Sequence, residues 1–193
     1  MRSLVAALLA LSLCACSGNV EVVENQTIPP IRTGSAQVVF MRSSQVNPLT
    51  TPTLYDVTSG KLKLIGDVPN GTKMAVDLPP GDYVFLVRSN ANAEFMMASV
   101  SPNKRYHVVV IPYAYIAFAL RPVRRSNGEF LYTSDRVFEL MNDTKLVRSV
   151  PSDSDEADRK KAEEIYQQAW PKWQGKTADE KNQATLRKED AAN

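Results

Sequence analysis

The sequence predicts an all-β domain, an Ig-like or prealbumin-like antiparallel β-sandwich of about seven to eight strands, followed by a C-terminal α-helical tail. Two observations predict the sandwich. Short runs rich in β-branched and aromatic residues recur through residues 35–121, each bounded by Gly, Pro, Asn or Asp. Several of them alternate polar and apolar residues, the period of a half-buried strand. A third observation predicts the tail. After Pro151 the apolar residues fall at helical rather than strand spacing.

The chain opens with Met1-Arg2-Ser3, a short basic start, and residues 4–13 are apolar except for Ser12. A helix crossing hydrocarbon needs about 20 apolar residues, roughly twice this run. A charged start, a short apolar segment and a small residue at its end form the layout of a secretory signal, which is removed on export. Leu13-Cys14-Ala15-Cys16 resembles the lipobox of bacterial lipoproteins, with Leu at −3, a small residue at −1 and Cys at +1. The resemblance implies cleavage between Ala15 and Cys16, and acyl chains such as palmitate attached through the Cys16 thiol. Cys14 fits poorly as the modified residue because the bulky Leu13 precedes it. Two or three chains, each adding about 0.8 kcal/mol per buried CH₂, make such an anchor effectively permanent. Ser17 stands where an Asp would, by resemblance to enterobacterial sorting, retain a lipoprotein at the inner membrane. The expected location is therefore the outer membrane, facing the periplasm. The chain has 2 Cys, one leaving with the signal and one lipidated. The mature protein is thus expected to hold no thiol for a disulfide, a metal or a nucleophile.

The expected organisation is a signal at 1–15, a lipidated N-terminus and tether at 16–34, the sandwich at 35–150 and a charged, partly disordered helical tail at 151–193. The tether holds Asn25, Thr27, Pro29, Pro30 and Gly34, and its Pro-Pro pair favours an extended spacer. An alternative reading is an edge strand, because Val20, Val22 and Val23 nearly alternate. Strands are predicted at 36–41, 53–57, 61–66, 73–78, 83–87, 94–100, 106–111 and 115–120. Residues 58–60 read as a hairpin turn, and Asn70-Gly71 supplies the positive φ of another. Pro79-Pro80-Gly81-Asp82 is a structural corner. Residues 108–120 carry no charge but have Pro112 in the middle. They read as two strands buried on both faces rather than as a membrane segment.

Leu78-Pro79-Pro80-Gly81-Asp82-Tyr83-Val84-Phe85 resembles the surface β-modules of bacterial envelope proteins. Over residues 36–140 the chain is similar to an uncharacterised family of small bacterial lipoproteins with a β-sandwich domain of unknown function. The similarity runs through the opening strand at Ala36 to Arg42, the Tyr55 strand, the Pro-Pro-Gly step and the strand at Lys104 to Val109. The long tail departs from that family. The resemblance implies an envelope sandwich and no catalytic residues.

Little in the sequence carries chemistry. The single histidine, His107, stands mid-strand, and a lone strand histidine is more often a packing residue than a ligand. No Gly-x-Ser-x-Gly elbow and no Gly-rich phosphate loop is present. The expectation is a non-enzyme with no cofactor and no metal; a hydrolase using His107 is the least favoured alternative. The net charge of +2 does not point to nucleic acid. Arg121, Arg124 and Arg125 form the densest basic cluster, a candidate contact for anionic headgroups or an acidic partner, weighed against a solvated loop. In the tail, Asp153 with Glu156 resembles a capping box. Ala162, Ile165, Tyr166, Ala169, Trp170 and Trp173 line one helix face, and Pro171 should end or kink the helix. Ile165, Tyr166, Trp170 and Trp173 are thus candidate partner contacts unless the stripe docks on the chain's own sandwich. Thr177 with Glu180 repeats the capping pattern, but residues 177–193 hold only Leu186 as a large apolar residue. The expected function is an anchored, non-enzymatic binding or accessory module whose partners are the membrane, through Cys16, and an envelope protein. The alternative is a structural subunit of an envelope-spanning complex that docks through the tail helix.

Overall fold

The computed structural model describes residues 19–90, 92–113, 117–150 and 156–192. The signal segment, Ala15, Cys16 and Asp153 lie outside the described residues. In chain order the strands are β1 (Val20–Val22), β2 (Ala36–Arg42), β3 (Thr53–Asp56), β4 (Lys63–Asp67), β5 (Thr72–Leu78), β6 (Gly81–Arg88), β7 (Ala93–Val100), β8 (Arg105–Tyr113), β9 (Ala117–Arg124) and β10 (Phe130–Leu131). Then follow α1 (Asp135–Asp143), β11 (Lys145–Ser149), α2 (Glu156–Gln174), α3 (Ala178–Gln183) and β12 (Thr185–Leu186).

The expected antiparallel all-β sandwich is corrected: the fold is mixed α/β. A seven-stranded sheet, β1-β11-β5-β2-β8-β9-β10, faces a five-stranded sheet, β12-β7-β6-β3-β4. Both are mixed, with parallel pairs β2–β8, β11–β5, β10–β9 and β12–β7. The physical reason lies in the middle of the larger sheet. Every residue of β2 is buried, and so are Tyr106 to Val110 of β8. On β2, Val38 and Phe40 face the second sheet, while Val39 and Met41 pack with Val137 and Leu140 of α1 on the outside. Strands covered on both faces belong in parallel or mixed sheets with helices as covers. The five-stranded sheet repeats the arrangement. Leu54, Phe85 and Met96 point inward, while Tyr55, Leu86 and Phe95 point out toward Ala162, Tyr166 and Trp173 of α2. The layers therefore run α1, larger sheet, smaller sheet, α2.

Asn70-Gly71 does not turn a hairpin. Gly71 has φ +74°, but the chain there leaves β4 in one sheet and enters β5 in the other. Its carbonyl accepts from Lys145 N–H at 2.9 Å, which starts the parallel β11 alongside β5. Arg42, at the end of β2, is fully buried, with both terminal nitrogens of its guanidinium served and Nε without an acceptor. It donates to Val68 O at 3.2 Å and Asn47 O at 2.7 Å and lies 4.7 Å over the Phe118 ring. Burial lowers its pKa to about 10, so it stays charged at neutral pH.

The helix predicted to end or kink near Pro171 continues one turn past it, to Gln174. That turn is held by side chains: Trp173 is 4% exposed with its ring 5.8 Å from Phe95, and Lys176 pairs with Glu94 at 2.7 Å. Beyond it, Thr177 and Glu180 form the reciprocal capping box of α3. Leu186 then enters the inter-sheet core at 0% exposure, with Ala191 beside it. A single large side chain thus fixes the last segment as a plug between the sheets. Among the described residues no helix is long and apolar enough to cross a membrane. Trp173→Ala is expected to cost about 3–5 kcal/mol and to lower the thermal midpoint by roughly 10 °C. A calorimetric midpoint unchanged from the parent protein would mean that α2 is not a structural layer.

Candidate functional site

A concavity with both apolar walls and charged groups lies where the cover over the smaller sheet is incomplete. The first turns of α2, residues 156–161, are exposed and stand at the β3–β4 hairpin across an open cleft. The volume of this cleft is about 480 Å³. Tyr55 and Arg88 stand on adjacent strands in its lining, with Leu62, Leu64 and Ala162 as apolar walls. Lys61, Arg159, Glu163, Asn19 and Ser149 complete it. Gly66 shapes one end. At φ +149°, a Cβ there would lie 2.8 Å from Ser149 Cβ and 2.9 Å from Met74 Cε, so only glycine lets the β4 edge approach β11 this closely.

Arg88 ends β6, on the outward face that also carries Leu86 and Val84. Its guanidinium is nearly buried, and Nη2 donates to both carboxylate oxygens of Asp158 at 3.0 Å. Its buried Nε has no acceptor within the described protein. Burial raises the pKa of the Tyr55 phenol, and the adjacent Arg88 charge opposes that rise. The phenol therefore remains a neutral hydroxyl. Asp67 accepts from Thr53 Oγ1 at 2.7 Å and from the Asn19 N–H at 3.1 Å. The lining thus sets both signs of charge beside apolar walls and contains no His or Cys. That arrangement can hold an amphipathic group. Among the described residues no group of three or more His, Cys, Asp or Glu is placed to hold a metal ion.

The residues singled out from sequence lie elsewhere. Arg124 and Arg125 hold the C-terminal plug. Arg124 donates to Asn182 O and Thr185 O and lies 3.9 Å from Asp190, while Arg125 donates twice to Ala191 O, at 3.0 and 2.8 Å. Arg121 pairs with Glu129 at 3.3 Å. Tyr166 and Trp173 are buried on Phe95, Trp170 is half-buried with its ring 5.1 Å from Phe95, and Ile165 lines a small cleft of about 140 Å³ beside Lys176. The aromatic stripe is thus covered by the chain's own sheet. Sequence reading missed Tyr55, Arg88 and Asp158. The available signal was a lone arginine in phase with the apolar residues of its strand, which requires an acidic partner from another element. No protein-family model and no curated protein matches this chain.

His107 takes no part in the cleft. It is 2% exposed on the outward face of β8, with Nδ1 3.2 Å from the Tyr132 hydroxyl, which itself donates to Asp190 O at 3.1 Å. With the phenol proton given to Asp190 O, Nδ1 must carry the proton shared with Tyr132. Burial, then the charges of Arg105 and Lys73, lower the His107 pKa from 6.5 to about 4. Between those two values the unfolded chain binds a proton that the folded chain refuses. Stability should therefore be full above about pH 6.5 and decline toward pH 4, by up to about 3 kcal/mol from this group. Denaturant titrations across that window should show a shallower decline for His107→Asn than for the parent. Equal declines would contradict a neutral, buried His107.

Proposed function

We propose that the protein is an outer-membrane-anchored lipoprotein whose periplasmic domain is a non-enzymatic binding module, with the cleft under α2 as its binding site. The observation that carries the binding reading is Arg88. A cation is held nearly buried by Asp158 at a partly apolar cleft large enough for a small molecule. Ligand pockets characteristically combine apolar walls with a few fixed polar groups. Leu62, Leu64 and Ala162 supply the former, and Arg88, Tyr55 and Lys61 the latter. The anchor rests on the lipobox-like Leu13-Cys14-Ala15-Cys16.

The alternative role, a subunit docking through the tail helix, has less to support it. Tyr166 and Trp173 are already spent on Phe95.

Mass spectrometry of protein purified from bacterial envelopes tests both halves of the reading. Under denaturing conditions the chain should begin at a Cys16 that carries two or three acyl chains. Under native conditions it should carry a bound species of defined mass that is lost in Arg88→Gln while far-UV circular dichroism is unchanged. An unmodified N-terminus overturns the anchor. A bound species retained in Arg88→Gln, or none in the parent protein, overturns the cleft as the site.

A further inference from the structure

Asn19 is the first described residue, and it is fixed at the edge of the cleft. Its N–H donates to Asp67 Oδ2 at 3.1 Å, and its carbonyl accepts from Val150 N–H at 2.9 Å. Beyond Asn19 the chain does not hang free. β1 pairs with β11, Val23 N–H donates to Leu146 O at 2.9 Å, and Gln26 Oε1 accepts from Leu146 N–H at 2.7 Å. Ile28 packs against the outer apolar cluster of the larger sheet, and Arg32 pairs with Asp77 at 3.1 Å. The segment expected to act as a tether is laid along the domain. Only residues 16–18 then separate a lipid on Cys16 from the cleft.

Chain length sets the consequence. Three residues reach at most about 11 Å even when fully extended. A headgroup layer is roughly 5–8 Å deep. A domain held this closely cannot stand clear of the leaflet, and the end that carries Asn19 must face it. The chemistry of that end fits. Lys61 and Arg159 are exposed at the cleft, and Leu64 in the same lining is 41% exposed. Of the acids in the lining, Asp158 pairs with Arg88, while Asp67 is held by Thr53 and Asn19 and Glu163 by Gln167. The latter two keep their charge, and Lys61 and Arg159 are the exposed cations there. Basic side chains beside an apolar one suit an anionic lipid interface.

We propose that the anchored domain sits with its cleft mouth against the phospholipid leaflet that holds Cys16, placing Lys61, Leu64 and Arg159 at the headgroups. This pose rests on the lipidated-Cys16 reading above. The mature chain then has no other thiol, so single cysteines report position cleanly. The full lipidated protein, carrying Leu64→Cys, Lys61→Cys or, at the opposite sheet edge, Ser126→Cys, is reconstituted in phosphatidylglycerol–phosphatidylcholine vesicles and treated with a membrane-impermeant maleimide. The first two positions should react at least about tenfold more slowly than Ser126→Cys, because an interfacial site is withdrawn from bulk water. Equal reactivity at all three positions overturns the pose. Palmitate labelling of the same samples separates the two failures. Labelled protein with equal reactivity sinks only the pose, whereas label absent from Cys16 sinks the lipoprotein reading on which the pose depends.

Discussion

The fold depends on burying both faces of β2 and β8, which pair in parallel at the middle of the larger sheet. Val38, Phe40, Val108 and Val110 close against the smaller sheet, while Val39, Met41 and Val109 need a second cover. Each such side chain, taken out of water, contributes about 1.5–3 kcal/mol. Leaving the outer row open would forfeit that stabilisation and expose an apolar stripe. The segment at Phe130, Tyr132 and α1 supplies the cover, through Val137 and Leu140. The smaller sheet presents the same problem through Tyr55, Leu86 and Phe95, and α2 answers it. The two helices are thus required by the sheets rather than appended to them.

The cleft follows from the way α2 meets that requirement. Its apolar stripe begins at Ala162, so the turns before it are exposed and bring Asp158 and Arg159 to the cleft at the β3–β4 hairpin. Asp158 then reaches Arg88, and the space between helix and hairpin stays open. At the neighbouring end of the larger sheet, β1 adds to β11 and brings Asn19 to the same opening. A cover on one sheet and an edge strand on the other converge on one place, at Asn19, the first described residue.

Much of the element order was legible in the sequence. The eight predicted strands correspond to β2 through β9, with ends shifted by at most a few residues. Period-two alternation and turn residues are local signals, and local structure follows them. Sheet membership is not local. Asn70-Gly71 has the backbone of a tight turn, yet it carries the chain between sheets because β5 finds its partners in β2 and β11. The uncharged run at 108–120, read as two strands buried on both faces, falls on β8 and β9, but Pro112 lies inside β8 rather than between the strands. Nor does the run show that β8 pairs in parallel with β2. Neither α1 nor β11 was recognised: only Val137 and Leu140 of the helix are buried, and β11 is five residues long. The site was less legible still. Arg88 and Asp158 are 70 residues apart, and nothing at either position names the other. Arg124 and Arg125 looked like a surface cluster because the carbonyls they serve belong to residues 182–191.

The central claim, a parallel β2–β8 pair at the heart of a doubly covered mixed sheet, can be read directly by nuclear Overhauser contacts in the purified protein. The register sets Val39 opposite His107 and Phe40 opposite Val108. The account predicts the staggered amide-to-Hα contacts of a parallel ladder across these residues, with none of the close Hα–Hα contacts of an antiparallel one. Close Hα–Hα contacts between β2 and β8 would contradict it and restore the antiparallel sandwich.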